Sequence, residues 1–131
     1  MFNLVTVYII LKQHMNRFKF RVWDTINKEF IDNEYFRITG NGNVENFLNE
    51  SENDTNCVIT QFTGLRDKNG RKIYEGDIVR KYWQNNNTNG FVSFEVKYNQ
   101  QHCGFGISLG KNHQYEVIGN VFENPELVNT L

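Results

Sequence analysis

From Arg17 to Trp23 the chain alternates, with Phe18, Phe20 and Val22 on one face and Arg17, Lys19, Arg21 and Trp23 on the other. A period of two over seven residues predicts a half-buried strand. Phe30–Ile31 and Tyr35–Ile38 predict two short strands, closed by turn chemistry in the Gly40–Asn43 run GNGN. Val44, Phe47 and Leu48 then recur at helical spacing and predict one short helix, before the polar loop 50–56. Beyond Cys57 the strand signals strengthen: VITQFTGL, RKIY, IVRKYW, FVSFEVKYN and YEVIGNVF are separated by turn residues. Asn69–Gly70 supplies the positive φ of a tight hairpin turn, Glu75–Gly76–Asp77 predicts a second turn, and QNNNTNG (84–90) reads as a long, flexible hairpin end. Asn124–Pro125 predicts a single terminal helical turn, with Pro at the first helical position. The resulting class is a mainly β, small barrel-like or SH3-like domain over residues 15–131, with at most one or two short helices.

Residues 1–14 stand apart. Leu4 to Leu11 is apolar but far short of the roughly 18 residues a membrane span needs, and no Lys or Arg precedes it as in a signal peptide. It reads as an N-terminal β extension that adds an edge strand, with Met15 as a second start.

Composition supports the β reading. Among 131 residues there is no alanine, while Val, Ile, Thr, Phe, Tyr and Trp make 48, and such residues favour a pleated, half-buried surface over a helix. A net charge of −1 excludes a globally basic nucleic-acid binder and leaves local patches open. Two cysteines are too few for a small disulfide scaffold, so Cys57 and Cys103 read as free thiols and the compartment as cytoplasmic.

The run QFTGLRDKNGRKIYEGDIVR (Gln61–Arg80) closely resembles the hallmark of the YopX family of bacteriophage and prophage proteins. NRFKFRVWD and YEVIGNVFENPELV (Tyr115–Val128) resemble that family's N- and C-terminal segments, so the resemblance covers the chain from about Met15 onward. It implies a mostly β fold with a barrel-like core and a phage or prophage origin, and carries over neither an enzymatic activity nor a defined ligand. Within the hallmark, Gly64, Leu65, Asp67, Asn69, Gly70, Tyr74, Glu75, Gly76 and Asp77 read as a structural motif of two consecutive turns.

Candidate chemistry narrows quickly. Cys57, His102, Cys103 and His113 show no CxxC or HxxxH spacing, so neither a metal centre nor a cofactor is expected, and no catalytic residue is assigned. The glycines at 104, 106 and 110 miss the dinucleotide-binding spacing. Six basic residues against three acidic ones between Arg66 and Lys81 give a local charge of +3. Arg66, Lys68, Arg71, Lys72, Arg80, Lys81 and Trp83, with the stripe Arg17, Lys19 and Arg21, are the candidate ligand-binding residues, Tyr74 and Tyr82 adding stacking surfaces. Nineteen aromatics exceed what one small core absorbs and predict an interface. The expectation is a non-enzymatic phage accessory protein that self-associates and engages a host or phage protein. The alternatives are a nucleic-acid-binding barrel and a nucleotide- or small-molecule-binding, sponge-like counter-defence protein.

Overall fold

The computed structural model describes residues 3–15, 18–107 and 114–131 and is mainly β, with a curled, half-barrel sheet and two short helices. The order of elements is α1 (Leu4–Met15), β1 (Phe20–Asp24), β2 (Glu29–Ile31), a 3₁₀ turn (Asn33–Tyr35), β3 (Phe36–Ile38), β4 (Val44–Asn46), β5 (Cys57–Arg66), β6 (Lys72–Tyr74), β7 (Asp77–Asn85), β8 (Thr88–Glu95), β9 (Gln114–Asn120) and α2 (Pro125–Val128). The chain divides into two compact units, residues 20–60 and residues 1–19 with 61–131.

In the first unit, β1 lies between β2 and the start of β5, and β3 pairs with β4 as a separate ribbon. Val22, Ile31 and Val44 form its core, against which Phe36, Ile38, Cys57 and Ile59 pack. The predicted alternation of Arg17–Trp23 does not hold through to its end. Trp23 is buried edge-on to Phe30, with ring centroids 4.9 Å apart, whereas Phe18 and Phe20 are exposed. Asp24 is buried as well, because its carboxylate accepts the Ile26 and Asn27 amides and closes the turn into β2. The helix predicted at Val44–Glu50 is also absent: Val44–Asn46 is β4, and the buried Asn46 side chain accepts the Leu48 amide and turns the chain back.

In the second unit, β6 pairs with the later part of β5, and β7 lies between β8 and β9 in a three-stranded antiparallel sheet. Ile73, Val79, Val96, Tyr115 and Val117 form the core. The first three residues of β7 are buried and its last three exposed, so the β7–β8 hairpin starts in the core and ends in solvent. Gln84–Gly90 is not a long loop, as Asn85 pairs with Thr88 and only Asn86 and Asn87 make the turn. Asn86 sits at φ 26°, a positive value that asparagine tolerates.

The N-terminal segment is the helix α1 rather than an edge strand. Its start is set by Asn3, whose side-chain oxygen accepts the Thr6 amide at 2.8 Å, and no Gly or Pro interrupts the run that follows. A capped, unbroken run outweighs the strand preference of its β-branched residues, which costs only a few tenths of a kcal/mol per position.

Candidate functional site

The hallmark residues build a frame. Gly64 has φ +86° at the irregularity in the β5–β6 register, and the neighbouring Leu65 packs on the core. The buried Asp67 carboxylate accepts the Asn69 and Arg71 amides on one oxygen, both at 2.9 Å, and the Val117 amide of β9 on the other at 3.0 Å. Burial works to raise its pKa; the three backbone donors and the Arg71 charge outweigh it and hold the carboxyl below the ordinary range. Gly70 (φ +81°) completes that turn. In the second turn Asp77, also buried, accepts the Tyr74 amide at 2.8 Å, Glu75 donates its amide to Gln61, and Gly76 (φ +86°) donates to Val96. Tyr74 itself packs on Phe62, its partner across β5–β6. The two turns thus tie β5, β6, β7 and β9 together, and their acidic groups are engaged within the protein.

The candidate ligand-binding residues divide into groups that the sequence could not separate. Arg17 lies outside the described residues. Arg21, in the first unit, donates Nε–H to the Thr60 hydroxyl at 3.1 Å and stacks over Phe30. In the second unit, Arg80 and Lys68 gather on one face of the β7–β8–β9 sheet with Tyr82 and Glu116. Lys68 Nζ is 3.4 Å from Glu116 and 4.5 Å from the Tyr82 ring centroid; Tyr82 donates its hydroxyl to Glu116 at 2.7 Å; Arg80 stacks on Phe91 at 4.3 Å. The Tyr82 hydroxyl first, then Lys68 and Arg80, hold the Glu116 carboxyl below its usual range. Lys81 points to the opposite face, and Arg71 is turned inward, its guanidinium 3.5 Å from the Val117 carbonyl. Arg66 and Lys72 are direct partners across β5 and β6.

Around the solvent end of the β7–β8 hairpin lies a concavity of ≈ 760 Å³, lined by Lys68, Tyr82, Trp83, Gln84, Phe91 and Gln114 among others. Trp83 lies flat across its partner Gly90, where a Cβ would come within 2.5 Å of the indole. Gln84, Phe91, Gln114 and Glu116 were not among the predicted site residues. Their signal is period two on β7, where Arg80, Tyr82 and Gln84 share a face, but the register that brings Phe91, Gln114 and Glu116 beside them is non-local.

Among the described residues, cysteine and histidine do not assemble into a centre. Burial, with Asp54 and Asp24 nearby, pushes the Cys57 thiol up to about 12, so it is a poor nucleophile at neutral pH. Cys103 is exposed, and His113 lies outside the described residues. Among the described residues no group of three or more His, Cys, Asp or Glu is placed to hold a metal ion.

Comparison with known proteins agrees with the hallmark. A family model described as YopX protein matches residues 19–129. Among solved structures, protein EF1440 from Enterococcus faecalis is similar at 30% identity and TM-score 0.53, covering 85% of this chain and 97% of that one. Protein yopX from Bacillus subtilis shares the fold at 21% identity and TM-score 0.50, covering 82% and 95%. No curated protein matches the chain.

Proposed function

Starting from a chain that belongs to the YopX family, we propose that it is a phage or prophage accessory protein, working in the host cytoplasm by binding rather than catalysis and assembling with copies of itself through the β7–β8 hairpin. One observation carries the reading. Strand β8 is an edge of its sheet among the described residues, and it presents Phe91 at 56% and Val92 at 50% exposure beside Trp83 at 41%. An eight-residue edge with apolar side chains is a template for pairing, and natural edges that stay free usually carry a lysine, a proline or a bulge. β8 carries none of these, since its charged residue, Glu95, sits at the buried base of the hairpin beside Ile78. Trp and Phe at such a position supply the anchors that dominate protein interfaces. A second copy laid antiparallel along β8 satisfies the edge and sets a neighbouring strand beside Phe91 on one face and Val92 on the other. Aromatic surface that the pair leaves uncovered serves for engaging a host or phage protein.

The test is sedimentation velocity across a hundredfold range of concentration, on the full chain and on Val92→Lys. The proposal expects a concentration-dependent oligomer that the edge lysine converts to monomer, with the far-UV spectrum unchanged. A wild-type chain that sediments as a monomer at every concentration overturns it.

A further inference from the structure

A different surface of the second unit carries a separate inference. Arg66 and Lys72 face each other directly across β5 and β6, and Lys19 runs alongside β5, where its carbonyl accepts the Phe62 amide at 2.8 Å. Like charges directly opposite on a sheet destabilise it. Three other exposed cations have carboxylate partners: Arg37 with Glu45, Lys68 with Glu116, Lys97 with Glu95. Among the described residues, Lys19, Arg66 and Lys72 have none. Lys19 first, with burial and Arg66 adding to it, keeps Lys72 below the ordinary lysine range. The Arg66 guanidinium donates to the Gly70 carbonyl at 2.8 Å, which fixes its direction and leaves its other N–H donors free. The result is an anchored fork directly across from Lys72.

We propose that Lys19, Arg66 and Lys72 form a binding site for phosphoryl oxygens, supplied either by a free nucleotide or by the backbone of an oligonucleotide. The pairing register explains the chemistry. Arginine offers parallel N–H donors that match two oxygens of one phosphoryl group, while each lysine acts as a point charge on a neighbouring phosphate, three phosphates in all. An anion seated there converts three mutually repelling cations into three attractive pairs. The chain's net charge of −1 limits the electrostatic reach to this patch, so the site recognises phosphate locally rather than coating a long duplex. The inference does not depend on self-association, because none of the three residues belongs to the β7–β8 hairpin.

The experiment uses the full chain, its Arg66→Gln/Lys72→Gln double variant, Lys19→Gln, and the control Lys97→Gln, whose cation is already paired with Glu95. Three probes are titrated at low salt: inorganic phosphate, adenosine triphosphate, and a fluorescent single-stranded oligonucleotide. If the source is an oligonucleotide, anisotropy gives saturable binding that falls with salt at a log–log slope of about −2 for three contacts, at roughly −0.7 per phosphate. The double variant then binds at least about tenfold more weakly, with a slope near −0.7. If the source is a free nucleotide, adenosine triphosphate or phosphate raises the melting temperature of the parent chain and competes with the oligonucleotide, and the double variant loses both effects. Lys19→Gln weakens binding in either case, and Lys97→Gln leaves it unchanged. All variants keep the parent melting temperature within a few degrees, since the site variants relieve repulsion between like charges and Lys97→Gln removes only an exposed ion pair; should the double variant not fold, Lys72→Gln alone is expected to lower the slope to about −1.4. No binding of any probe at low salt overturns the proposal, as does binding with the same affinity and salt slope in the double variant.

Discussion

Replacing Asp67 by asparagine changes the charge of one side chain and almost nothing of its volume, which isolates what its carboxylate does. The side chain is buried, and its two oxygens accept three backbone amides, from Asn69, Arg71 and Val117. Asparagine keeps one acceptor oxygen for the turn amides and aims an NH₂ group at the Val117 amide, so one buried donor loses its partner. That orphaned donor costs about 1–3 kcal/mol, and the two remaining bonds lose their charge assistance at roughly 1 kcal/mol each, against which the relief of burying a charge is offset. A net loss of about 2–4 kcal/mol is expected, a large share of the stability of a domain this size. Urea denaturation followed by tryptophan fluorescence at pH 7 reads it directly, as a lower midpoint at unchanged slope. The carboxylate also gives the difference a pH dependence. Its pKa is depressed in the folded state, so its contribution is fully present above the unfolded value near 3.8 and is lost as pH falls through the lower folded value. The gap between the two proteins therefore narrows as pH falls below about 4. A gap under about 1 kcal/mol at pH 7, or one that stays constant into acid, refutes the reasoning.

Three further outcomes are expected. Gly76→Ala places a Cβ 2.9 Å from the Phe122 ring at φ +86°, whereas Gly70→Ala meets nothing within 4 Å at φ +81°. Thermal melts should show both destabilised by the roughly 1–2 kcal/mol of the left-handed backbone, with Gly76→Ala worse by about 1 kcal/mol more. A chromogenic disulfide reagent at pH 8 should titrate one thiol rapidly, the exposed Cys103, because the Cys57 thiol is raised to about 12; two thiols reacting at one rate would contradict the burial argument. Asn3→Ala should remove the cap of α1 and lower helical ellipticity without moving the cooperative melt of the β core, at a local cost of about 1 kcal/mol.

Much of the frame was readable in advance because it is encoded locally. Asn69–Gly70 and Glu75–Gly76–Asp77 demand positive φ and a short acceptor at fixed offsets, and both turns stand where those residues do. The strand signals in FVSFEVKYN and YEVIGNVF likewise fall on β8 and β9, but of Val92, Phe94, Val96 and Tyr98, whose alternation predicts one buried face, only Val96 is fully buried, just past the end of β8, while Val92 and Tyr98 are exposed. The failures have equally local causes. Asn85–Asn87 looked like a flexible run, but asparagine is also the residue that turns a two-residue hairpin, and composition does not distinguish the two. Leu4–Leu11 is rich in strand-formers, and the single capping oxygen of Asn3 decided otherwise. The basic residues of 66–81 looked like one patch. They became separate groups, because alternate residues of a strand face opposite ways and the partners arrive from β8, β9 and Lys19, far away in sequence.

Amide hydrogen exchange along β8, at low and high protein concentration, tests self-association through the hairpin most directly. Pairing at the edge predicts that amides of Thr88–Glu95 not bonded to β7 become protected as concentration rises, while α2 exchanges at the same rate throughout. Exchange along β8 that is independent of concentration, in a sample that sedimentation shows to be oligomeric, would contradict this account.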